Sequence, residues 1–123
     1  MSLLKIAHVP SPSVEPGSSV LHAVEVMAEE GVGGVAVTEG GELLGIFTER
    51  DVMLRVVLNS RRPQDTRVSE VMTSPVETIS EETTAEEALN HMLDRHLRHL
   101  PLVDANGKLL GMLSLRNLLE HMV

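Results

Sequence analysis

Cysteine, tryptophan and tyrosine are absent from the 123-residue sequence, and Phe47 is its single phenylalanine. The lack of cysteine excludes disulfides, a thiolate nucleophile and cysteine-ligated metal sites. The lack of aromatic residues removes the platforms on which the bases of single-stranded nucleic acids stack. Ten basic residues face 18 acidic ones, and the net charge of -8 repels the phosphate backbone that dominates nucleic-acid affinity. We therefore expect no nucleic-acid partner.

Long hydrophobic runs are missing as well. No apolar run approaches the roughly 18 residues of a membrane span, and the first nine residues lack the apolar region of a signal peptide. The hydrophobic fraction of 42% and the charged fraction of 23% are ordinary for a globular protein. We expect a cytoplasmic protein without a membrane partner.

The sequence does contain an internal repeat. Ala23 aligns with Ala88 and, after Ala105 as a one-residue insertion, Met53 aligns with Leu119. Apolar positions match almost throughout this alignment. Such a fixed period is typical of two copies of one structural unit.

Each copy predicts a strand, a helix, a two-stranded hairpin and a second helix. In the first copy, the first helix begins after Ser18 or Ser19 and ends at Gly31, and Thr48 caps a second helix over residues 49–58. In the second copy, the elements are expected at residues 76–79, 84–95, 99–103, 108–114 and 115–121. The fold class is therefore mixed α/β, of the α+β type.

The second helix of the first copy is apolar on more than one face over residues 52–58. A helix with one side in water has a narrower apolar stripe. Two interpretations remain open: the helix is sandwiched inside the monomer, or it forms a homodimer interface. We favour the homodimer.

Several patterns of catalytic or metal chemistry are absent. The spacing of His91, His96 and His99 matches no zinc-binding helix motif, so no metal site is expected. The glycines at residues 31–34 follow a helix and enter a strand, the reverse of the order in a dinucleotide-binding turn. There is no P-loop, no nucleophile elbow and no visible triad. We expect no enzymatic activity.

Two segments could bind a ligand. Thr48 and Asp51 lie three residues apart at a strand-to-helix turn, where they form either a reciprocal helix cap or a site in which Asp51 accepts hydrogen bonds from vicinal hydroxyls. Arg98 and His99 stand where the first copy has Gly33 and Gly34. They are either a solvated start of a strand or a pair of groups that hold a phosphate.

The doubled pattern resembles the tandem CBS (cystathionine beta-synthase) domain pair, or Bateman module. The resemblance rests on M-T-S-P at residues 72–75, H-L-P-L-V-D at 99–104, and the turns G-I-F-T-E-R-D at 45–51 and G-M-L-S-L-R-N at 111–117. It covers essentially the whole chain. It implies two β-α-β-β-α repeats, residues 1–62 and 63–123, packed with pseudo-two-fold symmetry into one Bateman module.

Members of this family typically bind adenosine nucleotides in two clefts between the repeats and act as regulatory sensors rather than enzymes. The resemblance therefore implies AMP, ADP or ATP as a regulatory ligand, no required cofactor, and a separate protein as the regulated partner. The alternative is a ligand-free protein-interaction or dimerisation module.

The resemblance also assigns residues to the two clefts. In the first cleft, Asp51 is expected to bind the ribose, and Val76 and Leu97 are expected to sandwich the adenine. Arg98, His99 and Thr48 are expected to bind the phosphate. The second is expected to be weak or empty, because Asn117 replaces the carboxylate and the cation pair is missing. The first cleft comprises Thr48, Asp51, Val76, Glu77, Leu97, Arg98, His99 and Pro101, and the second Val14, Val32, Gly33, Gly34, Ala36, Ser114 and Asn117.

Overall fold

The protein is described as a computed structural model for residues 2–123. The chain divides into two compact units. The central unit is Pro12–Val76, and the terminal unit combines the described residues up to Ser11 with Glu77–Val123. Each unit has its own hydrophobic core.

The central unit is a three-stranded sheet with helices. Its strand order is β1-β2-β3, with β1 parallel to β2 and β2 antiparallel to β3. In chain order, the elements are β1 (Ser13–Val14), α1 (Val20–Glu30), β2 (Gly34–Glu39), β3 (Glu42–Thr48), α2 (Glu49–Asp51) with a π-helical continuation (Val52–Val57), a 3₁₀ turn (Pro63–Asp65) and α3 (Val68–Val71).

The terminal unit repeats this arrangement. Its sheet has the order β4-β5-β6, again with one parallel and one antiparallel pair. The elements are a 3₁₀ turn (Leu3–Lys5), β4 (Ile79–Ser80), α4 (Ala85–Arg95), β5 (His99–Val103), β6 (Leu109–Ser114) and α5 (Leu115–Met122). The predicted mixed α/β fold with two β-α-β-β-α repeats is confirmed. The first strand of the second copy, predicted at residues 76–79, lies at Ile79–Ser80.

Local sequence signals explain where the helices begin and end. The Ser19 hydroxyl accepts the His22 N–H at 3.0 Å at the start of α1, and Gly31 ends that helix with φ 67°, a conformation that glycine adopts without strain. At α4, Thr84 and Glu87 form a reciprocal capping box. The Thr84 backbone N–H, bonded to the Glu87 carboxylate, lowers the pKa of that carboxyl below its usual value.

A short segment outside the named strands pairs with the last strand of each sheet, β3 in the central unit and β6 in the terminal unit. In the central unit, Thr73 exchanges two backbone hydrogen bonds with Ile46 of β3, at 2.8 and 3.1 Å. In the terminal unit, His8 does the same with Met112 of β6, at 2.9 and 3.0 Å. Leu3 is 1% exposed in the terminal core. The terminal unit therefore needs residues that precede the central unit as well as residues that follow it. The boundary at residues 62 and 63 stays a prediction about the sequence repeat.

Gly45 and Gly111 permit these close strand contacts. A Cβ atom on Gly45 would lie 2.6 Å from the Thr73 carbonyl oxygen, and one on Gly111 would lie 2.7 Å from the His8 carbonyl oxygen. Real Cβ atoms essentially never approach an oxygen so closely. Both copies of the repeat therefore have glycine at this aligned position for a steric reason.

The predicted helix over residues 49–58 is only partly α-helical. After Asp51 the backbone takes the π pattern, in which an N–H bonds to the carbonyl five residues earlier: Leu58 to Met53 at 3.1 Å, and Arg61 to Val56 at 2.9 Å. The predicted helix is therefore confirmed, and its π pattern was not predictable because hydrophobic periodicity does not distinguish the two hydrogen-bond patterns.

No helix within residues 2–123 combines the length and the hydropathy that a membrane span requires.

Candidate functional site

Thr48 and Asp51 form a reciprocal helix cap at the end of β3. The Asp51 Oδ2 atom accepts the Thr48 backbone N–H at 3.0 Å and the Thr48 hydroxyl at 3.3 Å. In return, Thr48 Oγ1 accepts the Asp51 N–H at 3.4 Å. The capping interpretation of this motif is therefore confirmed, and ligand binding by Asp51 must be compatible with it.

The other carboxylate oxygen of Asp51 has partners outside the turn. The Thr73 hydroxyl donates to Asp51 Oδ1 at 3.1 Å, and the Arg55 Nε atom lies 3.6 Å from the same oxygen. Arg55 also donates from Nη1 to the Met72 carbonyl oxygen at 2.8 Å. The Asp51 residue as a whole is 6% exposed. A buried carboxylate requires such partners, because burial of an unpaired charge is costly.

The central unit also contains five residues predicted for the second cleft. Gly34 pairs with Thr48 across β2 and β3, and the Gly33 carbonyl accepts the Glu49 N–H at 2.9 Å. These two glycines therefore adjoin the Thr48–Asp51 turn. The other three, Val14, Val32 and Ala36, are buried or half-buried in the unit.

The corresponding turn of the terminal unit combines Ser114 with Asn117. Ser114 caps α5 by accepting the Asn117 N–H at 3.0 Å, and the Ser114 hydroxyl donates to Asn117 Oδ1. His99 pairs with Ser114 across β5 and β6, and the Arg98 carbonyl accepts the Leu115 N–H at 2.8 Å. The strand start with Arg98 and His99 thus adjoins this second turn.

The Arg98 side chain is exposed, and within residues 2–123 no hydrogen bond or ion pair holds its guanidinium. Most other arginines of the chain do have such a partner, among them Arg55 and Arg61. A guanidinium without a protein partner can bind an anion without first breaking an internal ion pair.

Glu77 is the first residue of the Glu77–Val123 part of the terminal unit, and its carboxylate contacts two side chains of α4. Its Oε1 atom is 3.2 Å from His91 Nε2 and 3.3 Å from Arg95 Nη1. Leu97 packs half-buried against the terminal core, and Pro101 is buried opposite Met112 of β6. Val76 is half-buried at the end of the central unit.

The residues predicted for the first cleft therefore belong to two different compact units. Thr48, Asp51 and Val76 are in the central unit, and the other five are in the terminal unit. Their action on one ligand stays a prediction. Two contacts of Asp51, with Thr73 and with Arg55, are missing from the predicted set. Residue 73 lies in the M-T-S-P motif, but nothing in the spacing connects it with a carboxylate 22 residues earlier.

A groove of about 510 Å³ in the terminal unit contains none of the predicted site residues. It is lined by Thr78, Ile79, Ser80, Thr83, Glu87, His91 and Val103. Across residues 2–123, histidine and acidic side chains nowhere gather in a group of three or more that could hold a metal ion.

Comparison with known families gives one match that covers most of the chain. The family model of the CBS domain matches residues 5–58 and, a second time, residues 68–123. The two matches correspond to the two copies of the β-α-β-β-α pattern.

Curated relatives include MK0525 of Methanopyrus kandleri, which is 36% identical over 124 residues and 98% of this chain. The CBS domain-containing protein YhcV of Bacillus subtilis is 35% identical over 106 residues, which cover 86% of this chain and 74% of YhcV. The chain spans 63% of the length of MK0525. It likewise spans 63% of a 17.7 kDa protein of Acidianus ambivalens, with 37% identity.

Solved structures share the fold over nearly the full length. A protein with CBS domains from Burkholderia ambifaria has a TM-score of 0.91 and 31% identity, and the match covers 100% of this chain and 94% of that one. CBSX2 in complex with AMP has a TM-score of 0.81 and 25% identity, with 98% of this chain and 95% of CBSX2 covered.

Proposed function

The chain belongs to the CBS domain family, and on that basis we propose that it is a regulatory module that binds an adenine nucleotide and acts on a separate partner protein. The observation that supports the ligand is the complex of CBSX2 with AMP, a protein of the same fold and 25% identity. In this proposal the protein responds to its ligand through a shift between conformations that bind it unequally. It has no enzymatic activity of its own and acts in the cytoplasm.

In the central unit, the proposed ligand contact is Asp51. A carboxylate accepts hydrogen bonds from the two vicinal hydroxyls of a ribose, and the capping box holds Asp51 in a fixed orientation at the end of β3. Preorganisation of this kind lowers the entropy cost of binding. Thr48, beside it, is proposed to contact the phosphate, and Val76 the adenine.

In the terminal unit, the proposed contacts supply positive charge and an apolar surface. The exposed Arg98 guanidinium can bind phosphate oxygens in a bidentate manner, and His99 adds a second donor. Leu97 offers apolar area to the adenine, Pro101 is proposed to line the same cleft, and Glu77 directly follows Val76 in the sequence. The local pair of basic groups opposes the net charge of -8 at short range.

The second set of predicted residues is proposed to bind weakly or not at all. The amide of Asn117 has a single acceptor oxygen, and the Ser114 hydroxyl already donates to one of its two lone pairs. Ser114 thus lies beside an acceptor that lacks charge. Gly33 and Gly34 offer no cation to a phosphate.

Isothermal titration calorimetry tests the proposed function. AMP, ADP, ATP, NADH and S-adenosylmethionine are titrated separately into the full chain, with GMP as the control for base specificity. We expect saturable binding of at least one adenosine ligand at close to one per chain, and a higher melting temperature when that ligand is in excess.

Two other results would change the conclusion. Two equivalent nucleotides per chain would contradict the proposed asymmetry between the two clefts. The absence of heat for every ligand, together with an unchanged melting temperature, would favour the alternative of a ligand-free interaction module.

We also propose that the protein forms a homodimer through the π-helical segment. Met53, Leu54, Val57 and Leu58 are 42–68% exposed. These four neighbouring apolar side chains form a patch that solvent disfavours. A two-fold interface buries the same patch of both copies at once.

Replacement of two residues in this patch should produce monomers. Val57→Glu combined with Leu58→Glu places charges in the proposed interface, and we expect the mass measured by analytical ultracentrifugation to fall from dimer to monomer. Leu93→Glu is the matched control, because Leu93 is 57% exposed on α4 and lies outside the patch. A wild-type protein that is monomeric at micromolar concentration would contradict the proposal.

A further inference from the structure

We infer that Thr73 competes with the ligand for Asp51 and thereby limits its affinity. The inference rests on the proposed function and concerns residues of the central unit only. It follows from the number of hydrogen bonds that the Asp51 carboxylate can accept, from its burial, and from the way in which the Met72–Thr73–Ser74 segment is attached to β3.

Most hydrogen-bond acceptor positions of the Asp51 carboxylate are already occupied by donors of the protein. A carboxylate offers about four lone-pair positions, two on each oxygen. Both positions of Oδ2 are occupied by Thr48, through its N–H and its hydroxyl. One position of Oδ1 is occupied by the Thr73 hydroxyl, and the Arg55 guanidinium stands 3.6 Å from that oxygen. At most one position remains for a ligand that brings two hydroxyl groups.

Among the donors to Asp51, the Thr73 hydroxyl can give up its hydrogen bond at the lowest cost in free energy. Release of the Thr48 N–H would break the cap itself, because that bond is half of the reciprocal pair. Release of the Thr48 hydroxyl would leave its oxygen facing Asp51 Oδ2 at 3.3 Å without a shared proton. The Thr73 side chain, in contrast, makes no other hydrogen bond within residues 2–123, and a rotation about its χ1 angle withdraws the hydroxyl while the backbone stays in place. The Asp51 residue is only 6% exposed, so a second ligand hydroxyl needs such a withdrawal.

Competition at Asp51 also affects the segment that carries Thr73. Apart from the Asp51 contact, this segment is held by the Thr73 backbone pair with Ile46, by the Ser74 hydroxyl on the Leu44 carbonyl at 2.9 Å, and by Arg55 on the Met72 carbonyl. Arg55 touches both the carboxylate and the segment. A ligand at Asp51 therefore loosens the side-chain contact that joins residue 73 to the α2 turn.

The test is the affinity of the full chain for AMP when the Thr73 hydroxyl is removed. Thr73→Val is nearly isosteric and leaves one Oδ1 position vacant, so we expect AMP to bind about three- to tenfold more tightly, the equivalent of one hydrogen bond. Thr73→Ser keeps the hydroxyl and should bind like the wild type. If Thr73→Val fails to fold, Thr73→Ala provides the same loss of the donor.

Each outcome has a distinct meaning. Tighter binding by Thr73→Val supports competition, because a residue with a merely structural role would weaken binding when removed. Unchanged or weaker binding, with normal binding by the wild type and by Thr73→Ser, overturns the inference and leaves the proposed function intact. If AMP, ADP, ATP, NADH and S-adenosylmethionine all fail to bind to the wild type and to both Thr73 variants, the inference and the proposed function are both overturned.

Discussion

Gly45→Ala should lower the stability of the protein by about 3 kcal/mol, at the upper end of the cost of overpacking. The new Cβ atom would lie 2.6 Å from the Thr73 carbonyl oxygen, and a backbone atom cannot move aside as the end of a flexible side chain can. At this chain length the cost corresponds to roughly 10 °C in melting temperature, which differential scanning calorimetry would measure. Gly111→Ala should behave alike, because its Cβ atom would meet the His8 carbonyl oxygen at 2.7 Å.

Gly17→Ala is the matched control for this prediction. A Cβ atom on Gly17 would find nothing within 4 Å, and Gly17 does not have a left-handed φ. We expect an unchanged or slightly raised melting temperature, because alanine restricts the unfolded chain. A Gly45→Ala variant that melts within 2 °C of the wild type would show that the Thr73 segment can leave β3 at little cost.

Asp51→Asn should weaken the binding of an adenine nucleotide by roughly 10- to 100-fold, the range expected for one hydrogen bond to a charged acceptor. The amide keeps the shape of the side chain and one acceptor oxygen, so the turn should still form. Arg98→Ala should weaken binding as well, through the loss of a phosphate contact. Calorimetry on both variants tests whether the two units act in the same binding event.

The control for the charge change is Asp104→Asn. Asp104 Oδ1 accepts the N–H groups of Asn106 and Lys108 at 2.9 Å, so this carboxylate stabilises the β5–β6 hairpin and is absent from the predicted sites. Its replacement should leave nucleotide affinity unchanged. If the wild type shows two binding events and each of Asp51→Asn and Arg98→Ala removes a different one, the assignment of both residues to one cleft is wrong.

Elements determined by local chemistry were predictable from the sequence. Ser19, Thr48, Thr84 and Ser114 cap helices because their hydroxyls accept backbone N–H groups three residues later, and such spacing is visible without coordinates. Gly31 ends α1 for an equally local reason, its left-handed backbone. The hairpins followed from two apolar runs separated by turn residues.

Features that depend on distant partners were not predictable in the same way. The contact of Thr73 with Asp51 joins residues 22 positions apart and obeys no helical or strand period. The π-helical continuation of α2 has the same hydrophobic pattern as an α-helix, and only its five-residue hydrogen bonds distinguish it. The identity of Gly45 and Gly111 was visible in the alignment, but its cause required the neighbouring strand segments.

The division of the chain into a central and a terminal unit has a consequence for folding during synthesis. All residues of the central unit are available once the ribosome has released residue 76, so this unit can fold while translation continues. The terminal unit has Leu3, Leu113 and Leu118 in one core, so that core closes only after residue 118 has been made. Until then, the residues up to Ser11 are an early-synthesised segment whose partner strand does not yet exist.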